Sequence, residues 1–67
     1  MQFSQWQKEL IEKLSEKGLT KEDIFSVMLV LTREEKGRAM LSFLENAPCD
    51  SDVICEKAGE IAFSENA

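Results

Sequence analysis

The feature that most constrains this chain is the run Ile24-Phe25-Ser26-Val27-Met28-Leu29-Val30-Leu31, in which seven of eight residues are apolar. At about 100° per residue, Ser26 is the only polar point on its helical wheel, and a helix apolar on nearly every side is normally buried on nearly every side. The run therefore predicts a central helix, with the rest of the chain packed around it as a coat. A buried strand is the competing reading of a short apolar run. It is disfavoured here because no second strand is available to pair with it and because both flanks carry helix-capping residues.

Those caps divide the rest of the chain. Ser4 followed three residues later by Gln7 reads as a capping box that opens a first helix over about 5–17. Its apolar stripe is Trp6, Leu10, Ile11 and Leu14, opposite Lys8, Glu9, Glu12, Lys13 and Glu16. Gly18 suits the left-handed position just past a helix end, with Leu19 placed to fold back onto Leu14. Thr20 then caps a second helix over about 21–31, and Asp23 lies in its first turn, where a carboxylate favours the positive helix end. Thr32 and Glu35 form the ends of a second capping box, opening a third helix over about 33–46. Its inward stripe is Gly37, Met40, Leu41 and Leu44, with Phe43 beside it. A glycine inside a helix costs about 1 kcal/mol against alanine, so Gly37 predicts close approach to another helix backbone, that of helix two or of a twin subunit. Pro48 ends helix three by disfavouring helical geometry at Ala47. Asp50 or Ser51 caps a fourth helix over about 52–63, with Val53, Ile54, Ala58, Ile61 and Ala62 facing inward and residues 64–67 fraying. The expected fold is a single all-α domain over 1–67, a compact bundle of four short helices with helix two at its centre.

The residue types exclude much chemistry. There is no histidine, which removes the commonest general base and any Ser-His or Cys-His nucleophile pair. Cys49 and Cys55 do not have the spacing of a zinc ribbon, and they read as reduced thiols, with a disulfide between them as the alternative. The adjacent carboxylates Glu22 with Asp23, Glu34 with Glu35, and Asp50 with Asp52 each fall at a predicted helix start, where the helix dipole accounts for them. The three glycines are isolated, so no phosphate-cradling loop is present. The reading is of a non-catalytic chain with no catalytic residues, no cofactor and no metal.

Charge is distributed unevenly. Residues 1–44 carry seven acids and seven bases, whereas residues 45–67 carry six acids against Lys57 alone, so the whole formal charge of −5 lies in the last third. An acidic surface repels phosphate and counts against direct nucleic-acid binding. The longest apolar run is five residues, Val27 to Leu31, far below the ~18 that a membrane span needs. The opening residues lack the basic and apolar regions of a secretory leader. The expectation is a cytoplasmic protein without a membrane partner.

The stretch Gly18-Leu19-Thr20-Lys21-Glu22-Asp23-Ile24 resembles the entry to the first helix of a helix-turn-helix repressor. That resemblance covers seven residues and implies that helix three is a recognition helix presenting Arg33, Lys36 and Arg38 to DNA. The chain departs from the pattern after Ile24, where Phe25 stands in place of a small residue and no glycine turn follows. Glu34 and Glu35 also share the turn that would face phosphates.

The leading functional expectation is a small protein-interaction or regulatory module, with a helix-turn-helix-like DNA-binding regulator as the alternative. Candidate interface residues are Phe3 and Trp6, an aromatic anchor of the kind that dominates interfaces, with Gly37, Met40, Glu56 and Glu60. Because three short partners would not cover a helix apolar all round, a homodimer burying part of helices two and three is a possible partner arrangement.

Overall fold

Four α-helices form where the caps place them. A computed structural model describes residues 3–64 and contains α1 (Gln5–Glu16), α2 (Lys21–Val30), α3 (Glu34–Leu44) and α4 (Ser51–Ala62), with no strand among the described residues. The all-α bundle expected from the sequence is the fold. Of the residues expected to fray, 64–67, the last three lie outside the described residues, and the Ser64 N–H donates to Ile61 O at 3.3 Å.

The helix ends follow from local chemistry. The Ser4 N–H donates to Gln7 Oε1 at 2.7 Å, one half of the capping box of α1. α1 stops in a complete Schellman ending. Gly18 takes φ +91, the Gly18 N–H donates to Ser15 O at 3.0 Å, and the Leu19 N–H reaches back to Leu14 O at 3.3 Å. Leu14 and Leu19 are both buried beneath that turn. Thr20 Oγ1 accepts the Asp23 N–H at 3.1 Å and starts α2. Asp50 Oδ1 accepts the Asp52 and Val53 N–H groups at 3.0 and 3.4 Å and starts α4.

The start of α3 differs from expectation. Its N-cap is Arg33, not Thr32, and no side chain caps it. The helix begins one residue later than the Thr32–Glu35 box requires. Glu35 instead lies 3.9 Å from Arg33 Nε, an exposed pair.

The helices close into a ring. α1 packs on α3, α3 on α4, α4 on α2, and α2 on α1, while the diagonal pairs α2–α3 and α1–α4 do not pack on one another. Each helix therefore buries one stripe toward a shared centre. That centre is Trp6, Leu10 and Leu14 of α1, Leu19, Val27 and Leu31 of the α2 segment, Met40 and Leu44 of α3, Ala47, and Ile54 and Ala58 of α4.

The ring corrects the expectation of a central, fully covered helix two. α2 has two neighbours like every other helix, and Val27 is its only buried residue. Phe25 is 64% exposed and Leu29 60%, and Val30 also reaches solvent. The apolar wheel was covered on one side only. Val53 is likewise turned out to solvent rather than inward.

Two lysines tie elements together across the ring. Lys17 Nζ donates to the Ala47 carbonyl at 2.7 Å, bridging the end of α1 to the α3–α4 connection. Lys36 Nζ donates to the carbonyls of Ala62 and Ser64 at 2.8 and 3.0 Å, so α3 caps the C-terminal end of α4. A cation there also opposes the negative end of the α4 dipole.

Candidate interaction surface

The residues singled out from the sequence separate into three groups. Trp6, Gly37 and Met40 lie inside the molecule. A Cβ built on Gly37 would overlap Cε3 and Cζ3 of the Trp6 ring. Gly37 thus makes room for an indole from α1, not for a helix backbone, and Trp6 fills the seam between α1 and α3. This corrects their reading as an interface, because a side chain consumed by the core has no surface left to offer a partner. The same burial takes Gly37 and Met40 out of the anticipated dimer contact. Glu56 and Glu60 are exposed on α4, where Glu60 lies 3.7 Å from Lys57. Phe3, nearly half exposed, belongs to a different surface.

That surface is an apolar groove between α1 and α2, with a volume of about 540 Å³. Phe3, Gln7 and Ile11 form one wall, and Lys21, Ile24, Phe25, Met28 and Leu29 form the other. Ile24 and Met28 are half-buried and packed against the core, so they form its floor. The upper wall is the outward side of α2. Sequence reasoning missed it because those residues were assigned to the interior. The signal was nonetheless present. Glu22 and Ser26 stand four apart on the helix, and on the wheel they lie together next to Leu29 and Phe25, marking that side as the solvent side.

The alternative DNA-contacting residues are not gathered into a basic face. Arg38 Nε donates to Glu34 Oε2 at 2.8 Å. Arg33 is paired with Glu35, and Lys36 is taken up by the end of α4. Arg33, Glu34, Glu35 and Arg38 together line a depression of about 450 Å³ with two cations and two anions. α2 and α3 also do not pack on one another, whereas a helix-turn-helix unit braces its recognition helix against the helix before it.

Among the described residues no polar or charged side chain is buried, and no three of the Cys, Asp and Glu side chains gather in a way that would hold an ion. Both cysteines are free. Cys49 is exposed and Cys55 half-buried. Burial pushes the Cys55 thiol above its ordinary value of 9.0, and the negative charges of Asp23 and Asp52 push it the same way. Its thiolate, the nucleophilic form, is thereby disfavoured.

No protein family, no curated protein and no solved structure matches this chain. The functional reading therefore rests on the geometry of the groove and on the chemistry of its walls.

Proposed function

We propose that this chain is a small non-catalytic interaction module, regulatory in role, that engages another protein through the α1–α2 groove. The observation that carries the proposal is the exposure of Phe25 and Leu29, 64% and 60%, on a helix whose opposite side is anchored in the core. Large apolar side chains held in a row beside a preformed groove are a feature of protein-interaction surfaces. Among the described residues no helix is long and apolar enough to cross a membrane. Two free cysteines suit a reducing compartment, and the proposal places the module in the cytoplasm.

The DNA-binding alternative is the weaker proposal. Binding to a duplex draws most of its affinity from cations free to meet phosphates. Here Arg33 and Arg38 each stand beside a carboxylate.

The test is site-specific photocrosslinking in the native cell. A photoreactive residue is placed at Phe25 in one variant and at Glu60 in another. A defined protein adduct from position 25 that is absent from position 60 supports the reading. Adducts from position 60 alone, or none from either, would overturn it.

A further inference from the structure

We infer that α2 is a lid: it leaves the core as a unit while α1, α3 and α4 stay joined to one another. The inference stands apart from the interaction reading above. Every polar join between elements bypasses α2. Lys17 ties the end of α1 to the α3–α4 connection, and Lys36 ties α3 to the end of α4. Lys57 of α4 stands over the Phe43 ring of α3, 5.6 Å from its centroid, within cation–π range. Trp6 of α1 fills the notch at Gly37 of α3. Among the described residues, no side chain of α2 forms a hydrogen bond or an ion pair with another element. The bond between Thr20 and the Asp23 N–H that starts the helix is local.

Apolar burial is what holds α2, and it holds it lightly. Val27 is its one buried residue, whereas α1 buries Trp6, Leu10 and Leu14. Ile24 and Met28 add two half-buried side chains. Leu19 and Leu31, buried just outside its two ends, pin the segment to the core. The backbone has already left helical geometry at both flanks, with φ +91 at Gly18 and φ −99, ψ 78 at Leu31. Hinges are short stretches of this kind at element ends. The ring topology lets the helix go. α2 packs on α1 and α4 only, so lifting it leaves α1, α3 and α4 as an unbroken arc. A detached helix of ten residues is too short to persist in water, so it melts and its amides exchange with solvent. Ile24, Phe25, Met28 and Leu29 belong to the α2 wall of the groove. The groove therefore exists only while the lid is down, and the opening equilibrium sets what fraction of the chain can present it.

The experiment is native-state hydrogen exchange on the intact chain, followed residue by residue by NMR in water and in urea below the unfolding transition. The α2 amides are expected to exchange roughly tenfold or more faster than the slowest amides of α1 and α3. Their rates should rise little with urea, because opening exposes the surface of one helix only. The variant Gly59→Ala separates the lid from the rest. It should slow the protected amides of α4 roughly twofold to fivefold through helix propensity. It should leave α2 unchanged, because α4 stays folded when the lid opens. If the α2 amides are as protected as those of α1 and α3, or if Gly59→Ala slows α2 as much as α4, the bundle opens only as a whole and the inference is overturned.

Discussion

On one flank of α1, the Trp6 ring fills a notch that only a glycine at position 37 leaves open, and the residues on both sides of that seam are buried. On the other flank, Gln7 and Ile11 face α2 across a groove walled by apolar side chains that meet water. Both flanks belong to the same twelve-residue helix. The difference lies in what stands opposite. α3 offers a narrow backbone and a large partner fits against it, whereas α2 offers Phe25 and Leu29 turned outward. The closed flank consumes its apolar surface in folding, and the open flank retains its own for something else. Hydrophobicity alone does not separate the two.

The contrast is broken most severely at Trp6. Trp6→Ala removes a buried aromatic and should cost about 3–5 kcal/mol. A domain of this size has little more stability than that to lose. The expected outcome is loss of a cooperative thermal transition, followed by far-UV circular dichroism. A variant that melts near the parent temperature would show that the seam is not what holds α1 on α3.

Gly37→Ala should come next. The added methyl meets the Trp6 ring, and overpacking of that kind costs about 1–3 kcal/mol. Alanine's better helix propensity returns about 1 kcal/mol, so the net change is a loss of up to roughly 2 kcal/mol by the same principles. In a Trp6→Leu background the clash disappears, and Gly37→Ala should become neutral or stabilising. Urea titration of the four variants reads this coupling as a double-mutant cycle. Additive effects would mean that the two positions do not meet.

What could be read from the sequence follows the same division between local and distant chemistry. The four helices were legible because their ends are decided within a few residues, by Ser4 and Gln7, by Gly18 and Leu19, by Thr20, and by Asp50. The start of α3 was misread because Thr32 and Glu35 fit a capping pattern that the backbone at Arg33 does not take up. The covered side of α2 was misread for a different reason. A wheel with one polar point says how much apolar surface exists, and it does not say how many neighbours will arrive to cover it. In a ring of four, α2 has two. Glu22 and Ser26 indicated the outward side, but only weakly beside so many apolar residues. That Gly37 serves Trp6, thirty-one positions earlier, is a tertiary fact with no local signature.

Lys36→Met tests a join away from both flanks. The change keeps most of the aliphatic stem and removes the donor to the Ala62 and Ser64 carbonyls. A charge-assisted bond contributes about 1.5–3 kcal/mol when well shielded. One of these two bonds is exposed, so a loss of about 1 kcal/mol is expected after discounting for solvent. Faster amide exchange should appear in the last turn of α4 and leave α1 unchanged. Gly59→Ala is its opposite in sign. Nothing lies within 4 Å of the new methyl, so the substitution should stabilise by about 0.5–1 kcal/mol through helix propensity alone. Gly37 and Gly59 both lie inside helices, yet the same substitution should destabilise at one and stabilise at the other.

The smallest expected effect on stability falls on the open flank, and its smallness is informative. Phe25→Gln with Leu29→Gln replaces two large apolar residues inside a helix, which in a core would cost several kcal/mol. Here most of each side chain already meets water, so little apolar burial is lost, and glutamine is as good a helix former as leucine and better than phenylalanine. The midpoint of urea unfolding should move by less than about 0.5 kcal/mol, while crosslinking of a partner from the remaining walls of the groove disappears. If the double variant is instead destabilised by more than 2 kcal/mol, Phe25 and Leu29 are part of what holds the bundle together. The two flanks of α1 would then differ only in degree, and the retained apolar surface would have to be sought elsewhere, at Val53 or Phe63 on α4 and its end, where 42% and 77% of the residue surface lies open.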